Sequence, residues 1–587
     1  MCCWLLGYRS SRLSPNAPEQ GKIMKTSFKR FSRFFLPVAV LVPVLIFSGC
    51  AGIKTLPYKN IVMFDHKGYP VHPCTSTTKR NVPNEGECED VSSLPRLGHY
   101  EPIPDFPKHL EPMFSSMDAF FAKNKSKKIV IYVHGGLNTR GGTLERVAKK
   151  SQWGEPLYKE ILNSKQHPVF INWNSGLLSS YSDHLFSVRQ GEDSPFLGAL
   201  TWPVYLGMDI LRSLSRAPMV LTSLLLEDVK TNNMIAPIFD KKSAVEVGTD
   251  IYCRNHLGVD PDEHPGLCSE TAPTPVHDKF DLSVGHDQRG IGEMVVAGTQ
   301  YLVTLPAKMV VAPALDAIGT SAWNNMLRRV NLLYHVDKEF HVEKDPQSLS
   351  ALARNNSKLG LSRIPASGGL SLFMKAFISR YCTDLREHKD EWEITLVGHS
   401  MGTIVLNELV RNFGKFPANQ CEDRKQPAQL SEKNKTAEPP IYLPIKNIVY
   451  MASASTIRHY ENTVVPFLED TDANFYNLML GRQAEIRETQ AWGLSPRGSL
   501  LVWIDNFFSN PLTHRDRMLG RFDNFMIALH DIPEPVRDRI HIKSFNTGWK
   551  VEETEPQKHG DFSNLKFWEK DCWKASPPDE KECYKKP

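Results

Sequence analysis

Apolar residues along this chain follow two distinct periods. Short, nearly unbroken apolar runs lie at 128–133 (KIVIYV), 168–173 (PVFINW), 393–397 (EITLV), 445–454, 474–480 (NFYNLML) and 540–545 (IHIKSF), and each predicts a buried strand. Segments 143–163, 370–388 and 403–413 instead repeat their apolar residues at helical spacing. Strand and helix in alternation predict an α/β fold, with a mostly parallel sheet flanked by helices. Residues 499–509 look like a strand at first. Leu500, Trp503, Ile504, Phe507 and Phe508 nevertheless fall on one helical face behind Ser499 as N-cap, which predicts a helix.

The sheet pattern is interrupted between Gly176 and Gly369. Two long apolar regions there, 195–226 and 291–334, are broken by proline or by Asp209, Arg212, Arg216 and Lys308, which argues against membrane spans. They read as a large, mainly helical insertion over 177–369, either a subdomain core or a lid with an apolar face toward an acyl substrate or a membrane. Residues 127–176 and 370–568 then form the α/β domain, and 569–587 a C-terminal tail. The stretch 50–126 is Pro-rich, with a short apolar run at 60–64 and no long periodic helix expected. Residues 421–440 are polar and turn-rich, as in a surface loop.

The N-terminus changes the picture from an ordinary soluble chain. Met24 opens a segment with Lys25, Lys29, Arg30 and Arg33, then an apolar run over 34–47 and Ser48-Gly49-Cys50, the plan of a secretory signal peptide over 24–49, with 1–23 as upstream sequence. Setting aside Cys2, Cys3 and Cys50 leaves eight cysteines, an even number that suits an exported protein; spacing favours pairs 74–88, 253–268, 382–421 and 572–583, with a zinc site as the rival that lacks any C-x-x-C. The ending Phe47-Ser48-Gly49-Cys50 resembles the lipobox of bacterial lipoproteins. That resemblance implies lipidation of Cys50 and, with Ala51 next, a place on the outer membrane. Over 587 residues the net charge is only +4 with no basic stripe, which argues against nucleic acid as a partner.

Candidate chemistry centres on Gly398-His399-Ser400-Met401-Gly402, set between a predicted strand and a predicted helix. A serine at such a sharp turn needs small neighbours two residues away, and the helix behind it offers free N–H groups to an oxyanion. His134-Gly135-Gly136 follows an early strand, and Lys558-His559-Gly560-Asp561-Phe562 follows the last one. In this order the three motifs resemble the α/β-hydrolase superfamily, more narrowly its bacterial esterase and lipase-like lipoproteins, over residues 127–173 and 369–568. The resemblance implies Ser400 as nucleophile, His559 as base, and the main chain of Met401 with Gly135 or Gly136 as the oxyanion hole, with no cofactor. It places the acid after the strand before the last: Glu485 first, Glu488 next, and Asp505 if 499–509 is a strand. His134 and His399 are expected to shape their turns. The implied function is cleavage of an ester or lipid-like substrate. An acyltransferase on the same site and a non-catalytic envelope scaffold are the alternatives, and oligomeric state is not legible.

Overall fold

Seven strands form one parallel sheet: β1 (Ile61–Met63), β2 (Lys128–Val133), β3 (His167–Asn172), β4 (Glu393–His399), β5 (Ile445–Met451), β6 (Asn474–Leu480) and β7 (Ile540–Phe545), in spatial order β7-β6-β5-β4-β2-β3-β1. The computed structural model describes residues 55–73, 87–89, 102–232 except 137 and 190, 291–335, 368–388, 392–418, 421, 439–546 except 482, 483, 486, 487 and 489–497, 553–574 and 580–585. All of these fall in one unit, Ile53–Pro587. The arrangement is the α/β-hydrolase fold with a large helical insertion.

The strands read as unbroken apolar runs because both faces of the sheet are covered. Alternate residues serve opposite faces: Ile129, Ile131 and Val133 of β2 join one core, and Val130 and Tyr132 the other. The first core also holds helices α1 (Phe106–Asn124), α7 (Gly369–His388) and α8 (Gly402–Phe413). The second is closed by α2 (Arg140–Ala148), α3 (Leu157–Asn163) and the C-terminal segment, where Phe567 stacks on Tyr132 at 4.5 Å between centroids. Disulfides join Cys382 to Cys421 and Cys572 to Cys583, as spacing predicts. Cys50, Cys74, Cys253 and Cys268 lie outside the described residues, as do the signal segment and most of 421–440.

Three sequence expectations need correction. The stretch before β2 contains a 19-residue helix, α1, which buries Phe106, Leu110, Met113, Met117 and Phe121 on one face. Its prolines hide it: Pro107 occupies the first turn, where a missing N–H breaks no helical bond, and Pro112 is tolerated inside. Residues 61–63 are the sheet's edge strand, paired in parallel with β3. The single helix expected over 143–163 is two, α2 and α3, separated by a turn in which Lys150 bridges Pro156.

Within the insertion lie α4 (Leu177–Phe186), α5 (Pro195–Asn232) and α6 (Ile291–Tyr334). Buried polar pairs tie them together. Arg329 of α6, only 2% exposed, meets Asp183 of α4 at 2.6 Å and donates to Ser180 Oγ at 2.7 Å. Residues 499–509 are helical as expected: Ser499 caps α9 (Leu500–Trp503), which widens into a π-turn over Ile504–Phe508. Among the described residues no helix is long and apolar enough to cross a membrane.

Because α1 is built into the first core, Leu110→Ala should destabilise the protein by about 2–4 kcal/mol. Urea denaturation checks this, and an unchanged midpoint would remove α1 from the cooperative core.

Candidate active site

The chain runs from β2 outward to β3 on one side and from β4 outward to β5 on the other, so a crevice opens at the C-terminal ends of β2 and β4. Ser400 stands there, between β4 and α8, with φ +52°. A serine in this left-handed region costs on the order of 1–3 kcal/mol, and neighbouring hydrogen bonds hold it. Its N–H donates to the Met451 carbonyl at 2.8 Å; its own carbonyl accepts from Thr403 Oγ1 at 2.7 Å and from the N–H groups of Thr403 and Ala454 at 3.1 and 3.2 Å. The glycines flanking the serine are required by contact. A Cβ on Gly402 would stand 2.3 Å from the Val133 carbonyl oxygen, and one on Gly398 would meet Leu406 Cδ1 at 2.9 Å.

The loop after β2 presses on this turn from the other side. A Cβ on Gly135 would lie 2.7 Å from Ser400 Cβ, and Gly136 lies against Met401. The Gly135 carbonyl accepts from His134 Nδ1 at 2.9 Å, Ser175 Oγ at 3.0 Å and Asn138 Nδ2 at 3.2 Å. A trans peptide is planar, so fixing this carbonyl turns the Gly136 N–H away from that cluster. With its Nδ1 proton on the Gly135 carbonyl, His134 accepts at Nε2 from the Trp173 N–H at 3.2 Å and thereby ties the ends of β2 and β3. Burial drives its pKa down to about 4, so it stays neutral. His134 shapes a turn, as the sequence suggests.

His559 opens a 3-10 turn after β7, and its ring lies 5.3 Å from that of His399. His399 Nε2–H donates to the His559 carbonyl at 3.0 Å, and Glu488 Oε2 accepts from the His559 N–H at 3.0 Å. Ser400 Oγ, His559 Nε2 and His399 Nδ1 are all buried without a hydrogen-bond partner. Burial lowers His559 to about 4. His399 is held well below its usual value, first by burial and then by the charge of His559.

The three candidate carboxylates occupy different surroundings. Glu488 is the one that contacts His559, through its main chain, and burial raises its pKa while that N–H opposes the rise. Glu485 faces Arg521 Nε at 3.4 Å, not His559; burial raises it to about 8, with Arg521 opposing and Asp505 and Asp523 adding to the rise. Asp505, fully buried in the π-turn, takes the closer bond from Arg521 at 2.7 Å and another from the Met518 N–H at 2.7 Å. It serves the packing of its own segment.

Above Ser400 lies a narrow apolar cavity with Gly136, Ser400 and Met401 on one side and Leu177, Trp323, Met326, Leu500, Ile504 and Phe508 on the other. Its free space, about 10 Å³ measured at the centre of a water-sized sphere, holds roughly one water. The insertion thus supplies the roof through α4 and α6. Sequence reading missed Trp323 and Met326, and also Asn138 and Ser175. For Ser175 a signal existed: it stands just past the C-terminal end of β3, beside the strand that carries the glycine loop. Among the described residues no group of three or more His, Cys, Asp or Glu is placed to hold a metal ion.

Glu485 gives a pH prediction. Its folded pKa of about 8 lies above its ordinary 4.5, so the folded state retains a proton that the unfolded chain releases between those values. Its contribution to stability is full below pH 4.5 and is lost as pH rises through 8. Glu485→Gln should therefore flatten the fall in melting temperature between pH 5 and 8; an unchanged slope would mean the proton is held elsewhere.

Comparison of the chain with protein-family models, with curated proteins and with solved structures gives no match.

Proposed function

We propose that the protein is a serine hydrolase that cleaves a carboxylic ester through an acyl-enzyme on Ser400. The observation that carries this reading is the left-handed Ser400, whose buried, unpartnered Oγ faces an apolar cavity while the Nε2 of the neighbouring His559 loop is also left unpartnered. Buried polar atoms without partners are uncommon, and at a reactive site they mark where substrate atoms complete the bonding. Ser400 Oγ attacks the acyl carbonyl as its proton passes to His559 Nε2, and the oxyanion is met by the N–H groups of Met401 and Gly136. Collapse breaks the ester C–O bond, with His559 returning the proton to the leaving alcohol. Water then attacks the acyl-enzyme by the same route and releases the acid.

Glu488 is assigned as the partner of His559. The support for this assignment is that its carboxylate accepts from the His559 main-chain N–H at 3.0 Å. The apolar roof of Trp323, Met326 and Phe508 suits an aliphatic or aromatic acyl group. Room for a single water means that side chains of the roof must move aside to admit it. Location at the bacterial outer membrane through Cys50 belongs to the same proposal and rests on the lipobox-like sequence.

A fluorophosphonate probe tests the reading directly. It should label Ser400 and no other residue, and Ser400→Ala should abolish labelling with the fold intact; absence of labelling on folded protein, with and without detergent, would overturn the proposal. His559 titrates at about 4, so the labelling rate should stay level from pH 8 to 5 and fall only toward pH 4. Glu488→Gln should slow labelling by about 10²–10⁴-fold, and Glu485→Gln far less. The reverse order would make Glu485 the acid.

Ser175 holds the Gly135 carbonyl, so Ser175→Ala should lower kcat by about tenfold at unchanged KM, less than the loss of a donor itself. A change confined to KM would remove Ser175 from orienting that peptide.

A further inference from the structure

Among the described residues from Phe196 to Leu214, the outward face of α5 carries no charge. Phe196, Leu200, Val204, Met208, Leu211 and Leu214 are 58–78% exposed, a stripe about 27 Å long at the rise of an α-helix. The charged residues of this stretch turn the other way. Asp209 accepts from Ser321 Oγ at 2.7 Å, Arg216 meets Asp316 at 3.2 Å, and Arg212 donates to the Ala317 carbonyl at 3.2 Å, all toward α6. Even the hydroxyls are spent within the helix: Ser215 donates to the Arg212 carbonyl and Thr222 to the Pro218 carbonyl. A helix in water places its charges outward and its apolar residues inward; this one is reversed.

We propose that this face of α5 lies in the surface of a lipid bilayer, with its apolar side chains among the acyl chains and the helix axis along the membrane plane. Two observations choose hydrocarbon over a protein partner. Protein interfaces carry about one hydrogen bond per 100–200 Å², whereas this face offers no unspent donor or acceptor side chain between Phe196 and Leu214. Hydrocarbon requires none. The interior pairs to α6 also fix which face turns outward, so the stripe is presented rigidly. Among the described residues no cation lies on the face, so binding draws on apolar burial and should be indifferent to anionic lipid and to salt. The docking face stands independently of the reaction proposed at Ser400.

The test is flotation of residues 51–587, which hold the whole unit Ile53–Pro587 and lack both Cys50 and the apolar run before it, with neutral phosphatidylcholine vesicles. The protein should float at low and at high salt alike. Leu200→Glu with Leu211→Glu should weaken partition by roughly a hundredfold, about tenfold for each charge placed among acyl chains. Lys128→Glu, which makes the same total charge change at the N-terminal end of β2, should leave flotation unaltered. Melting curves verify folding, and Leu200→Ser with Leu211→Ser supplies an uncharged variant with an intermediate loss. Failure of the folded protein to float, or equal flotation by the double glutamate variant, overturns the proposal. So does a dimer in lipid-free buffer that the same substitutions dissociate, since that assigns the face to a second copy. Ser400→Ala should float like the parent, which keeps this result separate from the outcome of probe labelling.

Discussion

The constraint on which the site depends is the contact between Gly402 and the end of β2, where only a hydrogen fits beneath the carbonyl of Val133. It brings the first turn of α8 onto the glycine loop, and with it Ser400 onto Gly135. The strand-to-helix turn then has too little length to relax, and the serine is forced to a positive φ. Bonds from Met451, Thr403 and Ala454 offset that strain and extend it to β5, whose next residue, Ala452, is also left-handed at φ +44°. Three strand ends are thereby fixed relative to one another within hydrogen-bonding distance.

Around this point the protein builds a polar floor and an apolar roof by different means. The floor is a chain of main-chain contacts: His134, Asn138 and Ser175 on the Gly135 carbonyl, His399 on the His559 carbonyl, and Glu488 on the His559 N–H. Such bonds set peptide orientation and lose little by being buried, because each donor meets an acceptor. The roof is placed by side-chain pairs inside the insertion, among them Arg216 with Asp316 and Arg329 with Asp183. Those pairs have a second effect. By drawing the charges of α5 inward, they leave its outer face apolar, so one set of interactions both holds the roof over Ser400 and strips the opposite surface of polarity.

The sheet was legible because strands covered on both faces show unbroken apolar runs, and 474–480 and 540–545 are found where the sequence places them. The serine turn was legible for a local reason, since glycine, strand and helix lie within a few residues of one another. What escaped depends on distance along the chain. Helix α1 is masked by prolines whose cost its buried face outweighs. The short strand at 61–63 gains its meaning only from β3, more than a hundred residues later. Ser175 and Asn138 matter through one carbonyl; the place of Ser175 just past β3 hints at it, and nothing in the neighbourhood of Asn138 does.

The identity of the acid shows the same limit in electrostatic form. Glu485 and Glu488 are three residues apart, and sequence alone favours the first. What separates them is Arg521, 36 positions beyond Glu485, which gives its shorter bond to Asp505 and only a longer one to Glu485. The buried guanidinium serves two carboxylates, and at the less favoured one burial, which Arg521 opposes only in part, raises the pKa to about 8. A triad acid must carry charge when the imidazole becomes imidazolium, and a carboxyl that is neutral at pH 7 supplies none. Glu488 is raised by burial as well, but the His559 N–H stabilises its ionised form, so the contact that positions the histidine also favours the charge it needs. On the proposed mechanism, the choice between neighbouring glutamates follows from which one an arginine elsewhere in the fold has already engaged.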